Sequence, residues 1–164
     1  MTRVVSLFAR IAKEGWNTPK GDQLTLLVRV DRTRPPRTAL EATGRQLYVD
    51  DSVLAAMPRG IGEYVEIVFF KIGYVVNDRA LEREYESRAL LPADPYSLAA
   101  ANKFDPSFAD QYPNVTHWRD QAGNRCFAAF GCWSEGPYAR VEHVNGVYHA
   151  KKWFAGLLKD DAVA

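Results

Sequence analysis

The chain has 164 residues, of which 47% are hydrophobic and 25% charged, and its formal net charge is +1. This length and composition are typical of one globular domain and exclude a disordered, collagen-like or disulfide-scaffold protein. No apolar run approaches the ~20 residues of a membrane span, and no signal-peptide pattern opens the sequence. We therefore expect a soluble, cytoplasmic protein with one domain over residues 1–158 and a flexible tail at 159–164.

Two strands are predicted near the N-terminus. Apolar residues alternate over 3–13 and again over 23–31, and we expect these segments to form a hairpin. The two prolines within 32–37 argue against either a strand or a helix there, because proline lacks an N–H donor and has a fixed φ. The most apolar run, residues 64–72, is typical of a central strand.

The middle of the chain is predicted to be helical. Asp94 and Asp105 each precede a proline, which is the pattern of an N-cap followed by proline at the first helical position. Elsewhere an acidic start or a high content of Ala, Leu, Glu and Arg favours a helix. The predicted helices cover 53–57, 78–91, 95–102 and 106–112.

From residue 115 the apolar period changes to two, which predicts an antiparallel meander of about four strands. The dipeptide Asn145-Gly146 is a strong signal for a tight hairpin, and its register would place Glu142 opposite His149. The predicted fold class is α+β: antiparallel sheet with an N-terminal hairpin, a short helical middle and a C-terminal β-meander, but not a standard OB barrel.

The sequence lacks the Walker, dinucleotide-binding, zinc-protease and serine-hydrolase motifs, so we predict a protein that is not an enzyme and uses no cofactor. A His149–Glu142 pair would provide a base for a small hydrolase, the weakest function considered. Cys126 and Cys132 lie six residues apart on one predicted strand, roughly 20 Å at 3.3 Å per residue, which is too far for a shared zinc ion. No metal site is predicted.

Arginines cluster around a proline-stiffened segment in the first third of the chain. The guanidinium group has the shape to bind phosphate, and two prolines lower the entropic cost of ordering a loop. The alternative is a solvated loop whose arginines pair with acidic residues of the middle segment. The candidate residues are Arg29, Arg32, Arg34, Arg37 and Arg45.

Aromatic residues alternate with cations in the last third. Strand alternation places Phe127 and Trp133 on one face and Phe130, with both cysteines, on the other, more core-like face. Rings interleaved with cations on a sheet can stack on the bases of a single strand. The alternative is that these rings form the core under the short helices. The candidate residues are Trp118, Arg119, Arg125, Phe127, Trp133, Lys151, Lys152 and Trp153.

Three stretches, residues 105–118, 126–133 and 153–156, resemble in style the single-stranded-DNA-binding transcription cofactors of podophages that carry their own RNA polymerases. The second reads Cys-Phe-Ala-Ala-Phe-Gly-Cys-Trp and the third Trp-Phe-Ala-Gly. The resemblance implies binding of single-stranded DNA through a fold unlike the OB barrel, and assistance to a phage RNA polymerase at melted promoters in the cytoplasm of an infected bacterium.

The leading hypothesis is a non-enzymatic, homo-oligomeric protein that binds single-stranded DNA. In it, the arginines of the 29–45 region hold phosphates and the aromatic residues of the meander stack on bases. The alternative is a phage-encoded inhibitor that docks on a host or defence protein through the same aromatic surface, since large rings are typical interface hot spots.

Overall fold

The computed structural model describes residues 14–17 and 22–159, in which nine strands form one mixed sheet. The strands are β1 (Gly15–Trp16), β2 (Gln23–Arg29), β3 (Gln46–Val49), β4 (Tyr64–Lys71), β5 (Leu90–Pro92), β6 (Asn114–Arg119), β7 (Arg125–Trp133), β8 (Gly136–His143) and β9 (Trp153–Leu158). The helices in these residues are α1 (Pro36–Glu41), α2 (Asp51–Ala55), α3 (Asp78–Ser87), α4 (Pro95–Phe104) and α5 (Phe108–Gln111).

The strand order is β1-β2-β4-β9-β6-β7-β8-β3, with β5 paired to β9 outside this path. Most neighbours are antiparallel, but β3 runs parallel to β8 and β6 runs parallel to β9. The sheet does not close into a barrel, and the predicted α+β class is confirmed. None of the described helices is both long and apolar enough to cross a membrane.

Both faces of the sheet bury a hydrophobic core. The first face is covered by α1, α2, α4 and α5, and its core includes the fully buried Phe69, Tyr96 and Phe130. The second face is covered by α3, which packs Leu81 and Tyr85 over β4, β5, β6 and β9. Because α3 is one short helix, it leaves the end of the second face at β8 and β3 without a covering element among the described residues.

The helices begin mostly where the sequence predicts. Asp50 accepts hydrogen bonds from the backbone of Ser52 and Val53 and caps α2, and Asp94 accepts one from Ser97 and caps α4. The second Asp-Pro pair, at Asp105, does not begin a helix directly, since α5 begins at Phe108. The predicted strands over 23–31 and 64–72 correspond to β2 and β4.

Three local predictions in the first 92 residues are wrong. Residues 32–37 do include the start of a helix, because Pro36 occupies the first turn of α1, where a missing N–H costs nothing. The helix expected over 78–91 ends at Ser87, and after the left-handed Ala89 the chain continues as β5. Strand β3 lies in a segment for which no strand was predicted.

The prediction of a hairpin at Asn145-Gly146 is also wrong. Strand β8 ends at His143, and the next paired residue, Tyr148, bridges to Val76 rather than to β8. The following strand, β9, lies between β4 and β6, where the backbone N–H and C=O groups of its buried central residues find partners on both edges. The predicted His149–Glu142 pair therefore does not form, and Glu142 lies opposite Phe127 of β7.

Two predictions fall wholly or mostly outside the described residues. The strand over 3–13 lies outside them, although β1 pairs antiparallel with β2 through Trp16 and Leu26. Of the tail predicted at 159–164, the structure describes Lys159 alone.

A histidine packs against the core of the second face. His117 packs between the rings of Tyr85, with centroids 5.4 Å apart, and Tyr148, at 6.2 Å. Its buried Nε2 has no hydrogen-bond partner among the described residues. Burial lowers the pKa of His117 to about 4, so the ring is neutral in the folded chain at neutral pH.

We predict that His117 makes the protein less stable in mild acid. Between pH ~6.5 and ~4 the unfolded chain binds a proton that the folded chain excludes, so the free energy of unfolding falls as pH falls. From pH 7 to pH 5 this loss is about 2 kcal/mol. Urea denaturation of the wild type and of His117→Leu at both pH values measures it, because groups common to both proteins cancel. Equal pH dependence in the two proteins would contradict the prediction.

Candidate nucleic-acid interface

Aromatic and cationic side chains lie together where the second face of the sheet is uncovered. Phe127 and Trp133 of β7, Tyr138 and Arg140 of β8 and Tyr48 of β3 share this face, because side chains alternate along a strand and paired residues point the same way. Lys152, just before β9, reaches the same place. We call this set the open face: Tyr48, Phe127, Trp133, Tyr138, Arg140 and Lys152.

The Tyr138 ring lies flat across the sheet because the residue opposite it is Gly131. A Cβ atom added at Gly131 would lie 2.4 Å from the Tyr138 hydroxyl and 2.7 Å from the ring carbon that bears it, closer than any real contact. The lack of a side chain at Gly131 therefore sets the orientation of the Tyr138 ring, which is almost completely buried.

Trp133 stacks on the outer side of Tyr138. The two ring centroids lie 4.2 Å apart with an interplanar angle of 22°. Tyr48 contacts the same indole at 5.0 Å in a tilted arrangement. Trp133 and Tyr48 are 39% and 40% exposed, so each buries part of its ring and presents the rest to solvent. Large rings held in this way are pre-ordered for contact with a ligand.

Two cations lie beside these rings. The guanidinium carbon of Arg140 lies 5.2 Å from the Phe127 centroid and 5.8 Å from that of Trp133, within cation–π range. Arg140 also donates through Nε to Glu142, at 2.9 Å. Lys152 donates through Nζ to the Tyr138 hydroxyl, at 2.9 Å. Each cation is therefore fixed by a contact within the open face.

Arg119 and Arg125 lie next to the open face on the same side of the sheet. They are paired across β6 and β7, and Arg125 is two residues before Phe127. Both point toward the start of α3, where Asp78 lies 2.9 Å from Arg119 and 3.5 Å from Arg125. Arg119 nevertheless remains half exposed.

The two other tryptophans of the candidate set pack against the opposite, helix-covered face. Trp118 lies opposite Cys126, and its buried indole N–H has no partner among the described residues. Trp153 packs edge-on against Tyr112, with centroids 5.3 Å apart. Both are partly buried against the first core, so they lie apart from the open face. Lys151 is exposed in the turn before β9.

All five arginines of the first third pair with acidic residues. Arg29 lies 3.0 Å from Glu63. The remaining exposed pairs are Arg34–Asp31 at 3.3 Å and Arg37–Asp51 at 2.9 Å. Arg32 is largely buried and pairs with Asp94 at 2.8 Å while donating to the carbonyls of Ile61 and Gly62.

Arg45 is the most buried of the set, with its side chain 2% exposed. It donates to the carbonyl of Gly131 at 2.6 Å and to that of Pro106 at 2.8 Å, and it pairs with Asp110 at 3.1 Å. These contacts join β7 to α5. The five arginines and the open face therefore do not form one continuous surface.

Three open-face residues were missing from the candidate set. Tyr138 and Arg140 belong to the alternating aromatic and basic pattern of the last third, so the signal was present in the sequence. Tyr48 lies on β3, whose parallel pairing with β8 joins segments about 90 residues apart. No local pattern marks such a pairing.

Comparison with protein-family models, with curated proteins and with solved structures gives no match for this chain.

The contact between Gly131 and Tyr138 gives a prediction about the stability of the open face. Gly131→Ala should lower the free energy of unfolding by about 1–3 kcal/mol, because the added methyl group displaces a buried ring. In a Tyr138→Ala background the same change should cost much less, since the ring is gone. Chemical denaturation of the four proteins measures the coupling. Additive costs would show that Tyr138 does not limit the residue at position 131.

Proposed function

We propose that the protein binds single-stranded DNA on the open face. The observation that carries the proposal is the stack of Trp133 on Tyr138, half exposed on an uncovered sheet face and flanked by Arg140 and Lys152. Rings combined with cations are the usual means by which proteins hold single strands. No catalytic step is part of this proposal.

Base stacking is the first contribution. The exposed part of Trp133 and the ring of Tyr48 present two adjacent aromatic surfaces about 5.0 Å apart. A base that stacks on such a ring gains ~1–3 kcal/mol with little dependence on its identity. Since Tyr138 supports the indole from below, little side-chain entropy is lost when a base binds.

The geometry favours a single strand over a duplex. In a duplex the flat surfaces of the bases are covered by their neighbours, so they cannot stack on a protein ring without unpairing. A single strand has exposed bases and can lie along an open sheet. Arg125, Phe127 and Trp133 point to the same face of β7, and Arg125 and Trp133 are eight residue steps apart. At ~3.3 Å per residue this is about 26 Å, room for several nucleotides.

Phosphate binding is the second contribution. Arg140, Lys152 and the half-exposed Arg119 supply positive charge around the rings, while Glu142 and Asp78 neutralise part of it. A modest positive field of this kind agrees with the net charge of +1. The proposal does not use Arg32 or Arg45, because each guanidinium group is already held by backbone carbonyls and a carboxylate of the protein.

We predict that Trp133→Ala weakens binding of an oligo-dT strand about 5- to 150-fold, the equivalent of one lost stacking contact of ~1–3 kcal/mol. Tyr48→Ala should have a similar but smaller effect. Fluorescence anisotropy of a labelled strand measures the dissociation constant, and a thermal melt shows that each variant is folded.

The matched control is Phe104→Ala. Phe104 is 43% exposed at the end of α4, on the helix-covered side, so its loss should leave DNA affinity unchanged. A folded Trp133→Ala protein that binds oligo-dT as tightly as the wild type would contradict the proposal. An RNA strand and a duplex of the same length provide the comparison for specificity, and the duplex should bind more weakly.

A second prediction concerns salt. Arg140→Gln and Lys152→Gln should each lower the slope of log affinity against log salt by ~0.7, the value for one phosphate contact to a single strand. The control is the double variant Arg34→Gln/Arg37→Gln, which removes two exposed cations of the first third. If the control changes the slope and the open-face variants do not, the phosphates bind the first-third loop instead.

The remaining expectations extend the same proposal. A homo-oligomer would repeat the open face along a strand, and the family resemblance adds a phage RNA polymerase as protein partner in the cytoplasm of an infected bacterium. Transcription from a melted promoter in the presence of wild type or Trp133→Ala tests that role. The alternative is an inhibitor that docks on a host protein. In that case the protein would need Trp133 to bind its host partner, and the wild type would not bind oligo-dT.

A further inference from the structure

Three side chains with metal-binding atoms meet where β7 begins and β8 ends. Cys126 lies directly opposite His143 in the antiparallel pair, so their side chains share a face. The turn between β6 and β7 brings Asp120 to the same place. One ligand atom from each of the three lies within 4.8 Å of the others. Cys132, the second cysteine, is exposed near the far end of β7 and takes no part.

The spacing of the two strongest ligands is that of a tetrahedral metal site. A zinc ion bound to sulfur at ~2.3 Å and to imidazole nitrogen at ~2.0–2.1 Å separates these atoms by about 3.6 Å at a tetrahedral angle. The observed distance from Cys126 Sγ to His143 Nδ1 is 3.7 Å. An S–H···N hydrogen bond between Cys126 and His143 would also fit this distance, and the experiment below distinguishes it from metal binding.

The turn that carries Asp120 holds the carboxylate in place. The backbone N–H of Asn124 donates to Asp120 Oδ1 at 2.8 Å, and the backbone N–H of Asp120 donates to the carbonyl of Asn124 at 2.9 Å. Hydrogen bonds of this kind orient a ligating carboxylate before the metal arrives. The same carbonyl lies 3.8 Å from Cys126 Sγ, so one residue positions two of the three ligands.

A cavity of about 460 Å³ adjoins the group and is lined by Arg119, Gly123, Asn124, Arg125, His143 and Val144. His143 is exposed at its wall, whereas Cys126 is buried. Of the three candidate ligands only His143 lines this cavity, so solvent reaches the group from the His143 side. Three protein ligands leave a fourth coordination position for water or a small ligand, the composition of an open zinc site rather than a closed structural one.

We propose that Asp120, Cys126 and His143 bind a divalent transition-metal ion of the zinc type, with the fourth position facing this cavity. A thiolate, an imidazole and a carboxylate form a donor set suited to zinc or cobalt and unsuited to magnesium or calcium. On binding, the thiol proton leaves to solvent and the sulfur lone pair forms the bond to the metal. The proposal is independent of DNA binding by the open face.

The test uses the untagged full chain, reduced and treated with a chelator, and titrated with Co²⁺. We expect one equivalent to produce a thiolate-to-cobalt charge-transfer absorption that Zn²⁺ abolishes by displacement. Zn²⁺ should also raise the melting temperature of the wild type, because it binds the folded chain. His143→Gln should weaken metal binding at least tenfold, as should Asp120→Asn, and Cys126→Ser should remove the charge-transfer band.

Two matched controls distinguish this site from adventitious binding. Cys132→Ser and His149→Gln remove an exposed cysteine and an exposed histidine outside the group, and both should bind Co²⁺ as the wild type does. Loss of the band in Cys132→Ser would overturn the proposal, as would a wild type without the band. If Cys126→Ser does not fold, His143→Gln still tests the proposal. His143 is exposed, so its replacement should leave the protein folded. Unchanged metal affinity in folded His143→Gln would contradict the proposal. The contact between Cys126 and His143 would then be a hydrogen bond alone.

Discussion

The sheet is continuous because β9 is hydrogen-bonded on both of its edges. On one edge it pairs with β4, and on the other with β5 and β6. Without it, β1, β2 and β4 would form one small sheet and β6, β7, β8 and β3 another. At Gly156 the strand has little room for a side chain, because an added Cβ would lie 3.0 Å from a Leu90 methyl and 3.2 Å from the Leu91 carbonyl. Close approach at this position allows β5 to pair there.

The central place of β9 also determines where the surface remains open. The strongest burial on the second face lies over β9 and its neighbours, where Phe70 and Phe154 pack under Tyr85 of α3. Strands farther from this centre receive less cover. At the β8 and β3 end, the aromatic side chains cover one another instead, and this mutual packing leaves rings that are both fixed and accessible. On the other face, four of the described helices cover the sheet and the aromatic side chains pack in the core beneath them.

Local patterns in the sequence were enough to predict what depends on neighbours along the chain. The alternation of β2 and β4, the aspartate caps of α2 and α4, and the placement of Phe127 and Trp133 on one face could all be read in this way. The failures concern distant pairing. Asn145-Gly146 has the composition of a hairpin turn, yet β9 pairs with β4 and β6 and not with β8. The parallel pairing of β3 with β8, and with it Tyr48, leaves no trace in either segment alone.

The group of Asp120, Cys126 and His143 also depends on pairing between distant segments. Spacing along one strand correctly keeps Cys126 away from Cys132, but it says nothing about the turn that returns Asp120 or about the register that sets His143 opposite Cys126. The arginine cluster shows the reverse case, in which an unusual local composition has a mainly structural explanation. Arg45 donates to the carbonyl of Gly131 in a buried contact, and a buried carbonyl without a donor is costly in a protein interior. Arg32 pairs with Asp94 and donates to the carbonyls of Ile61 and Gly62.

The peptide unit at Gly131 is held from both sides of the sheet. Its carbonyl accepts from the buried Arg45, which is anchored to α5 through Pro106 and Asp110, while the Tyr138 ring lies across its Cα. A small shift of this peptide would tilt Tyr138 and the Trp133 indole stacked on it. The packing of α5 against one face is therefore mechanically linked to the orientation of the outermost ring on the other face.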